Sequence, residues 1–121
     1  MNRHEYRVKI VIVLYQHLLL KKDLETCFID NFESFDDYVE SIKNDLLNNI
    51  DTYIEKISQN LKNWRFDRLS YVDQAILLEA TCEYYLGINN KNIIIDEAIR
   101  IAKEYSDEDS YKYINGVLDN L

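Results

Sequence analysis

The sequence predicts an all-α fold, and three observations carry that prediction. Proline is absent and glycine occurs only at Gly87 and Gly116, so the turn residues that hairpin-rich β folds depend on are missing. Apolar residues recur at three- and four-residue spacing along most of the chain, the period of a helix face. With 121 residues, 47% apolar and 30% charged, the chain has the composition of one globular domain over residues 1–121, with enough material for a proper core.

Residues 3–22 are the hardest case for this reading. Val8, Ile10, Val11, Ile12 and Val13 are β-branched and locally suit a strand. The stretch is far longer than a strand, however, and no turn residue interrupts it. Tyr6, Ile10, Leu14 and His17 or Leu18 follow one helical face, and Val8, Val11, Tyr15 and Leu19 line an adjoining one. A helix that is apolar on two sides is covered on two sides. This first helix is therefore expected at the centre, touching a partner or a second sub-bundle.

Short acidic stretches follow, and helical periodicity resumes over 34–49 through Phe35, Tyr38, Val39, Ile42 and Leu46. Ser34 with Asp37 forms a relative of the capping box. Asn48-Asn49 is expected to separate this helix from the next, over 51–61, whose face holds Tyr53, Ile54, Ile57 and Leu61. Residues 63–69 form a connector with Trp64 and Phe66 as expected core anchors. Ser70 and Asp73 repeat the capping pattern ahead of a helix through Tyr85. Gly87 stands where a helix C-terminus takes a left-handed residue.

After the polar loop 89–92 a helix is expected over 93–105, and a last one starts within 106–109 and ends near Leu121. Gly116 inside it costs about 1 kcal/mol against alanine, which points to a close helix approach. The total is about seven helices.

Charge is the first functional clue. The net charge is −8, which argues against a general polyanion binder. In residues 1–22, Arg3, Arg7, Lys9, Lys21 and Lys22 face Glu5 alone, a local +4 that leaves −12 on the remainder. Such asymmetry suits a nucleic-acid contact or an oppositely charged partner, and equally a solvated helix. Cys27 and Cys82 stand alone, without the spacing of a zinc site. Together with the lack of a secretory signal, they fit a reduced, cytoplasmic protein. The densest apolar run, 10–15, is too short to span a membrane. No nucleophile motif and no glycine-rich phosphate loop is present, so neither an enzyme nor a cofactor is expected.

Four ordered segments stand out as a set. They are Asn63-Trp64-x-x-Asp67-Arg68-Leu69-Ser70-x-Val72-Asp73-x-Ala75-Ile76-Leu77 with Glu83 beyond it, then Ile95-Asp96-Glu97-Ala98-Ile99-x-Ile101-Ala102-Lys103. The third is Asp109-Ser110-Tyr111-Lys112-Tyr113-Ile114-Asn115-Gly116-Val117-Leu118-Asp119, and the fourth is the opening with Arg7 and Leu14-Tyr15-Gln16. In this order they resemble the bacterial NusB family of transcription antitermination factors, and the set spans the chain, although 23–60 match only in length and apolar pattern.

The resemblance implies two packed three-helix units sharing the first helix. It also implies binding of boxA-type single-stranded RNA in nascent ribosomal RNA, together with NusE, a small-subunit ribosomal protein. The pair would join the RNA polymerase elongation complex, with other Nus factors, to suppress premature termination. Carried over position by position, Arg3, Arg7, Lys112 and Tyr113 would face RNA, and Asp109 would lie at the edge of that site or simply start a helix. Tyr15 and Asp73 would face NusE. Basic side chains on phosphates and aromatic faces under bases suit single-stranded RNA.

The opening is thinner in arginine than the family's, with Glu5 between Arg3 and Arg7, and Leu78 stands where an arginine is common. Weak RNA binding alone, strengthened in a joint complex, is the expectation. The competing reading is an interaction module that binds the ribosomal protein or self-associates as a homodimer, for which ten tyrosines supply interface-type side chains.

Overall fold

Six α-helices and one 3₁₀ turn build the molecule, a computed structural model that describes residues 1–121. In chain order they are α1 (Arg3–Leu20), α2 (Leu24–Asn31), α3 (Asp37–Gln59), the 3₁₀ turn (Phe66–Arg68), α4 (Tyr71–Leu86), α5 (Lys91–Tyr105) and α6 (Ser110–Asp119). Helices α1–α3 form one unit and α4–α6 the other. Helix α1 packs on α2 in its own unit and on α4 across the seam, and α3 also packs on α4. One continuous apolar cluster of 30 buried residues runs through both units.

The seam explains the two-sided pattern of α1. Ile10, Val13 and Leu14 are fully enclosed, and α1 reaches α5 as well, where His4 Nδ1 lies 3.0 Å from Glu97 Oε2. Helix α4 is deeper still, with every residue from Asp73 to Glu83 buried. Its start and stop were legible. The Ser70 hydroxyl accepts the Asp73 N–H at 3.2 Å, and Gly87 takes the left-handed conformation at φ 69°, where it has no Cβ to clash.

Four expectations need correction. A short helix, α2, occupies the acidic stretch after α1. Asp23 caps it by accepting the Thr26 N–H at 3.0 Å, and Leu24, Cys27 and Phe28 face the core at helical spacing. The cap of α3 is Asp36, which accepts the Val39 N–H at 2.9 Å, and not Ser34.

Helix α3 runs unbroken through Asn48-Asn49. The asparagine side chains donate back into their own helix, Asn48 to the Asn44 carbonyl at 2.9 Å and Asn49 to that of Asp45 at 3.1 Å. The buried face of Ile42, Leu46, Tyr53 and Ile57 continues past them, and tertiary burial outweighs their weak helix propensity. Gly116, finally, is not at a close helix approach. A Cβ added there would meet nothing within 4 Å.

Candidate nucleic-acid interface

The start of α6 gathers most of the candidate residues. Asp109 occupies the N-cap position, but its side chain makes no capping bond and stays 82% exposed. Three residues on, the Lys112 ammonium lies 3.3 Å from Asp109 Oδ1 and is itself mostly exposed, the neighbour relation that helical spacing imposes. Tyr113 turns half inward. Its hydroxyl donates to Asp73, while its ring stacks on Trp64 with centroids 6.4 Å apart and planes 22° from parallel. Burial, and then the hydrogen bond to Asp73, push the Tyr113 phenol above its ordinary pKa, so it stays a neutral donor.

Trp64 departs from the sequence reading. Phe66 anchors the connector, at 7% exposure, as does Leu69, whereas Trp64 is 58% exposed. The 3₁₀ turn aims one aromatic into the core and leaves the other lying against α6. Around it the connector carries Lys62, Arg65 and Arg68, all exposed. Arg65 pairs with Asp67 at 2.7 Å.

Asp73 does not offer its charge outward. It is 3% exposed, and its carboxylate accepts from the hydroxyls of Ser106, Ser110 and Tyr113. It therefore ties the first turn of α4 to the end of α5 and the start of α6. The resemblance places Asp73 toward a partner protein; in this chain hydroxyl donors from two neighbouring elements occupy its oxygens.

The two arginines of α1 also part company. Arg3 is exposed, with its guanidinium 3.7 Å from the centre of the Tyr38 ring. Arg7, expected on phosphates, points inward. Its side chain is 5% exposed and donates to Glu83 through Nε at 2.8 Å and through Nη2 at 3.1 Å, the fork geometry at which arginine excels. Glu97 lies 3.7 Å away.

Beyond Glu83 sits Glu79, also buried, with the Tyr38 hydroxyl at 3.5 Å. Burial first, then the charge and hydrogen bond of Glu83, hold the Glu79 carboxyl well above the usual range. Burial pulls Glu83 the same way, but hydrogen bonds from Glu79 and Arg7 outweigh it and keep Glu83 low. One arginine thus neutralises one carboxylate, and burial beside it favours the protonated form of the second.

Tyr15 is half-buried and lines a wholly apolar groove of about 180 Å³, walled on one side by Val8, Val11 and Ile12 and on the other by Ile101 and Tyr105. The structure thus brings Asp109, Lys112, Tyr113 and Asp73 together at one end of the second unit and sets Tyr15 apart on the seam. No group of three or more His, Cys, Asp or Glu is placed to hold a metal, and no helix is long and apolar enough to cross a membrane.

The sequence matches the model of the NusB family over residues 4–121. The chain belongs to the NusB family. It is 36% identical to the transcription antitermination protein NusB of an Exiguobacterium species over the whole of this chain and 97% of the relative. It is 37% identical to that of Bacillus mycoides, with the same coverage. Among solved structures it is similar to T. maritima NusB, with a TM-score of 0.88 at 31% identity, covering 99% of this chain and 89% of that one. It shares its fold with a chain in a crystal structure of the antitermination factors NusB and NusE in complex with double-stranded RNA (TM-score 0.83, 23% identity, 99% and 96% covered). The curated NusB relatives are transcription antitermination proteins, not enzymes.

Within this NusB-family chain, sequence reasoning missed two features. The exposure of Trp64 has no local signal, since a tryptophan in a connector packs inward as readily as outward. Glu79 was signalled weakly: it lies four residues before Glu83 in an otherwise apolar helix segment, so both carboxyls had to fall on one buried face.

Proposed function

We propose that this protein acts in transcription antitermination by binding boxA-type single-stranded RNA of nascent ribosomal RNA jointly with NusE. The pair would then join RNA polymerase and other Nus factors in the cytoplasm. The observation that carries the reading is the α6 start, where the exposed Lys112 and the Tyr113 ring stand at positions that family resemblance assigns to RNA, with Trp64 stacked on that ring. Lys112 supplies a phosphate contact, Tyr113 an aromatic surface, and Arg3 a second cation on α1. Asp73 holds its floor, whereas Arg7 is buried against Glu83 at the seam and is not exposed enough to touch RNA. The known assembly of NusB with NusE and RNA in a chain of this fold is consistent with this reading.

Fluorescence anisotropy of a labelled boxA-type RNA, titrated with and without NusE at two salt concentrations, tests it. Binding that sharpens with NusE and weakens with salt is the expected result. A flat response in both conditions would sink it. The apolar groove beside Tyr15 favours a second role for the same fold, docking of a protein partner through α1. Under the interaction-module reading that contact survives without RNA, and NusE would still co-elute on a sizing column.

A further inference from the structure

We infer that the cleft between the connector and α6 is a nucleobase pocket, with Trp64 as its stacking wall, so that RNA extends from the α6 start across this face. The inference rests on the RNA-binding reading above and adds a subsite to it.

Trp64 is the first observation. An indole left more than half exposed and already stacked on one aromatic offers apolar area that a monomeric fold gains by covering. The cleft beside it has a volume of about 310 Å³, at the small end of ligand pockets. Trp64 and Tyr113 form its aromatic wall, and the amides of Asn60, Asn63 and Asn120 and the Lys62 side chain share its lining.

No carboxylate lines it, although the chain is strongly acidic. Each amide carries both a donor and an acceptor, the pattern that base edges present. The Asn60 and Asn120 side chains each spend a single N–H on a backbone carbonyl, of Lys56 at 3.1 Å and of Gly116 at 2.7 Å. Each keeps its second N–H and its carbonyl oxygen. Gly116 also lines the cleft, and the space beside its Cα is open. The residue that costs α6 stability therefore keeps the cleft clear.

The chemistry selects a base over the other candidates. A free phosphate would need more than Lys62 inside the cleft, and an apolar peptide side chain would leave three amides facing it. An unstacked base satisfies wall, edge and backbone at once, because every base has a π face and a phosphate beside it. Discrimination among bases falls to the asparagines.

Trp64 is the sole tryptophan, so its emission reports directly on the cleft. The experiment titrates the full-length protein with boxA-type single-stranded RNA in the presence of NusE. It follows anisotropy and tryptophan emission together, with Trp64→Phe as the blank. Quenching of Trp64 on binding is expected. Trp64→Ala should lose about 5- to 100-fold in RNA affinity with the salt slope unchanged, and Trp64→Phe should keep most of it. Because Trp64 is exposed, both variants should fold.

RNA bound by the wild type with unaltered emission, and equally well by Trp64→Ala, overturns the pocket while leaving the function standing. Loss of NusE co-elution in Trp64→Ala with RNA affinity intact would assign this face to the protein partner and overturn it equally. A wild type that binds no RNA at all defeats the function reading itself, and is told apart by the anisotropy alone.

Discussion

The seam around Glu83 and the face around Trp64 are built from similar residue types and put them to opposite uses. At the seam, Arg7, Glu79, Glu83 and Tyr38 are all under 10% exposed, and each charge is matched by a partner or by a retained proton. At the face, Lys112 and Asp109 keep most of their surface in water, and Trp64 lies open. A buried ion pair contributes little net stability when intact but is destructive when halved. An exposed one contributes almost nothing to the fold and is free to be exchanged for a ligand. The contrast therefore predicts that substitutions at the seam change stability first, and that substitutions at the face change binding alone.

The strongest way to break that contrast is Arg7→Ala. It leaves Glu83 and Glu79 enclosed without a cation, and the expected loss is about 3–5 kcal/mol, much of the stability of a domain this size. Urea denaturation followed by far-UV circular dichroism measures it. A variant as stable as the wild type, with RNA affinity gone, would return Arg7 to the RNA surface.

Glu79→Gln sharpens the same region through pH. The folded-state pKa of Glu79 is raised above its ordinary 4.5, so the folded protein retains a proton that the unfolded chain releases. The stability it contributes is full below pH 4.5 and drains as pH rises toward the folded value. Glu83 has the reverse sign. Its lowered pKa contributes stability above its unfolded value, lost as pH falls through the folded one. Glutamine keeps a donor toward Glu83 and does not titrate. The urea midpoint of the wild type should therefore fall as pH rises above 4.5, while that of Glu79→Gln stays flatter. Parallel curves would mean that Glu79 is ionised in the folded state.

These two predictions also mark where sequence reasoning reached and where it stopped. The fold was legible because period, caps and the Gly87 stop all act locally: Ser70 and Gly87 each do what their residue type does elsewhere. The functional site was legible only as positions along the chain. Arg3 and Arg7 lie one helical turn apart and read alike, yet Arg3 stays in solvent over the outer side of the Tyr38 ring and Arg7 enters the core. What separates them is the arrival of Glu83, 76 residues away, which no spacing along α1 encodes. Asp73 is a similar case, since its hydroxyl partners come from the end of α5 and the start of α6. The helix α2 was hidden because an eight-residue element offers only two turns of periodicity, and the Asn48-Asn49 break failed because the buried face of α3 does not stop there.

On the exposed face, Lys112→Glu should lower RNA affinity and flatten its salt dependence, by about 0.7 in the logarithmic slope for one single-strand phosphate contact. Stability should stay within about 0.5 kcal/mol of the wild type. Anisotropy titrations across a salt series, paired with a urea melt, check both halves. A destabilised protein would place Lys112 with the seam rather than with the face.

The smallest effect expected is from Asp109→Asn, and it tests the face most cleanly. Asp109 competes with RNA phosphates for Lys112, whose ammonium it meets at 3.3 Å. Losing that charge removes both the competition and a direct repulsion. In water two unit charges at this range interact by about 1 kcal/mol, so the gain in RNA affinity should be about 2- to 5-fold. The alternative role is that of a helix cap, and here the geometry is decisive: the Asp109 side chain accepts no backbone N–H at the start of α6. Asparagine is also as good an N-cap residue as aspartate, so the substitution leaves capping capacity in place. Tighter RNA binding with an unchanged melt therefore assigns Asp109 to the rim of the RNA site. A melt that shifts while binding stays constant assigns it to α6.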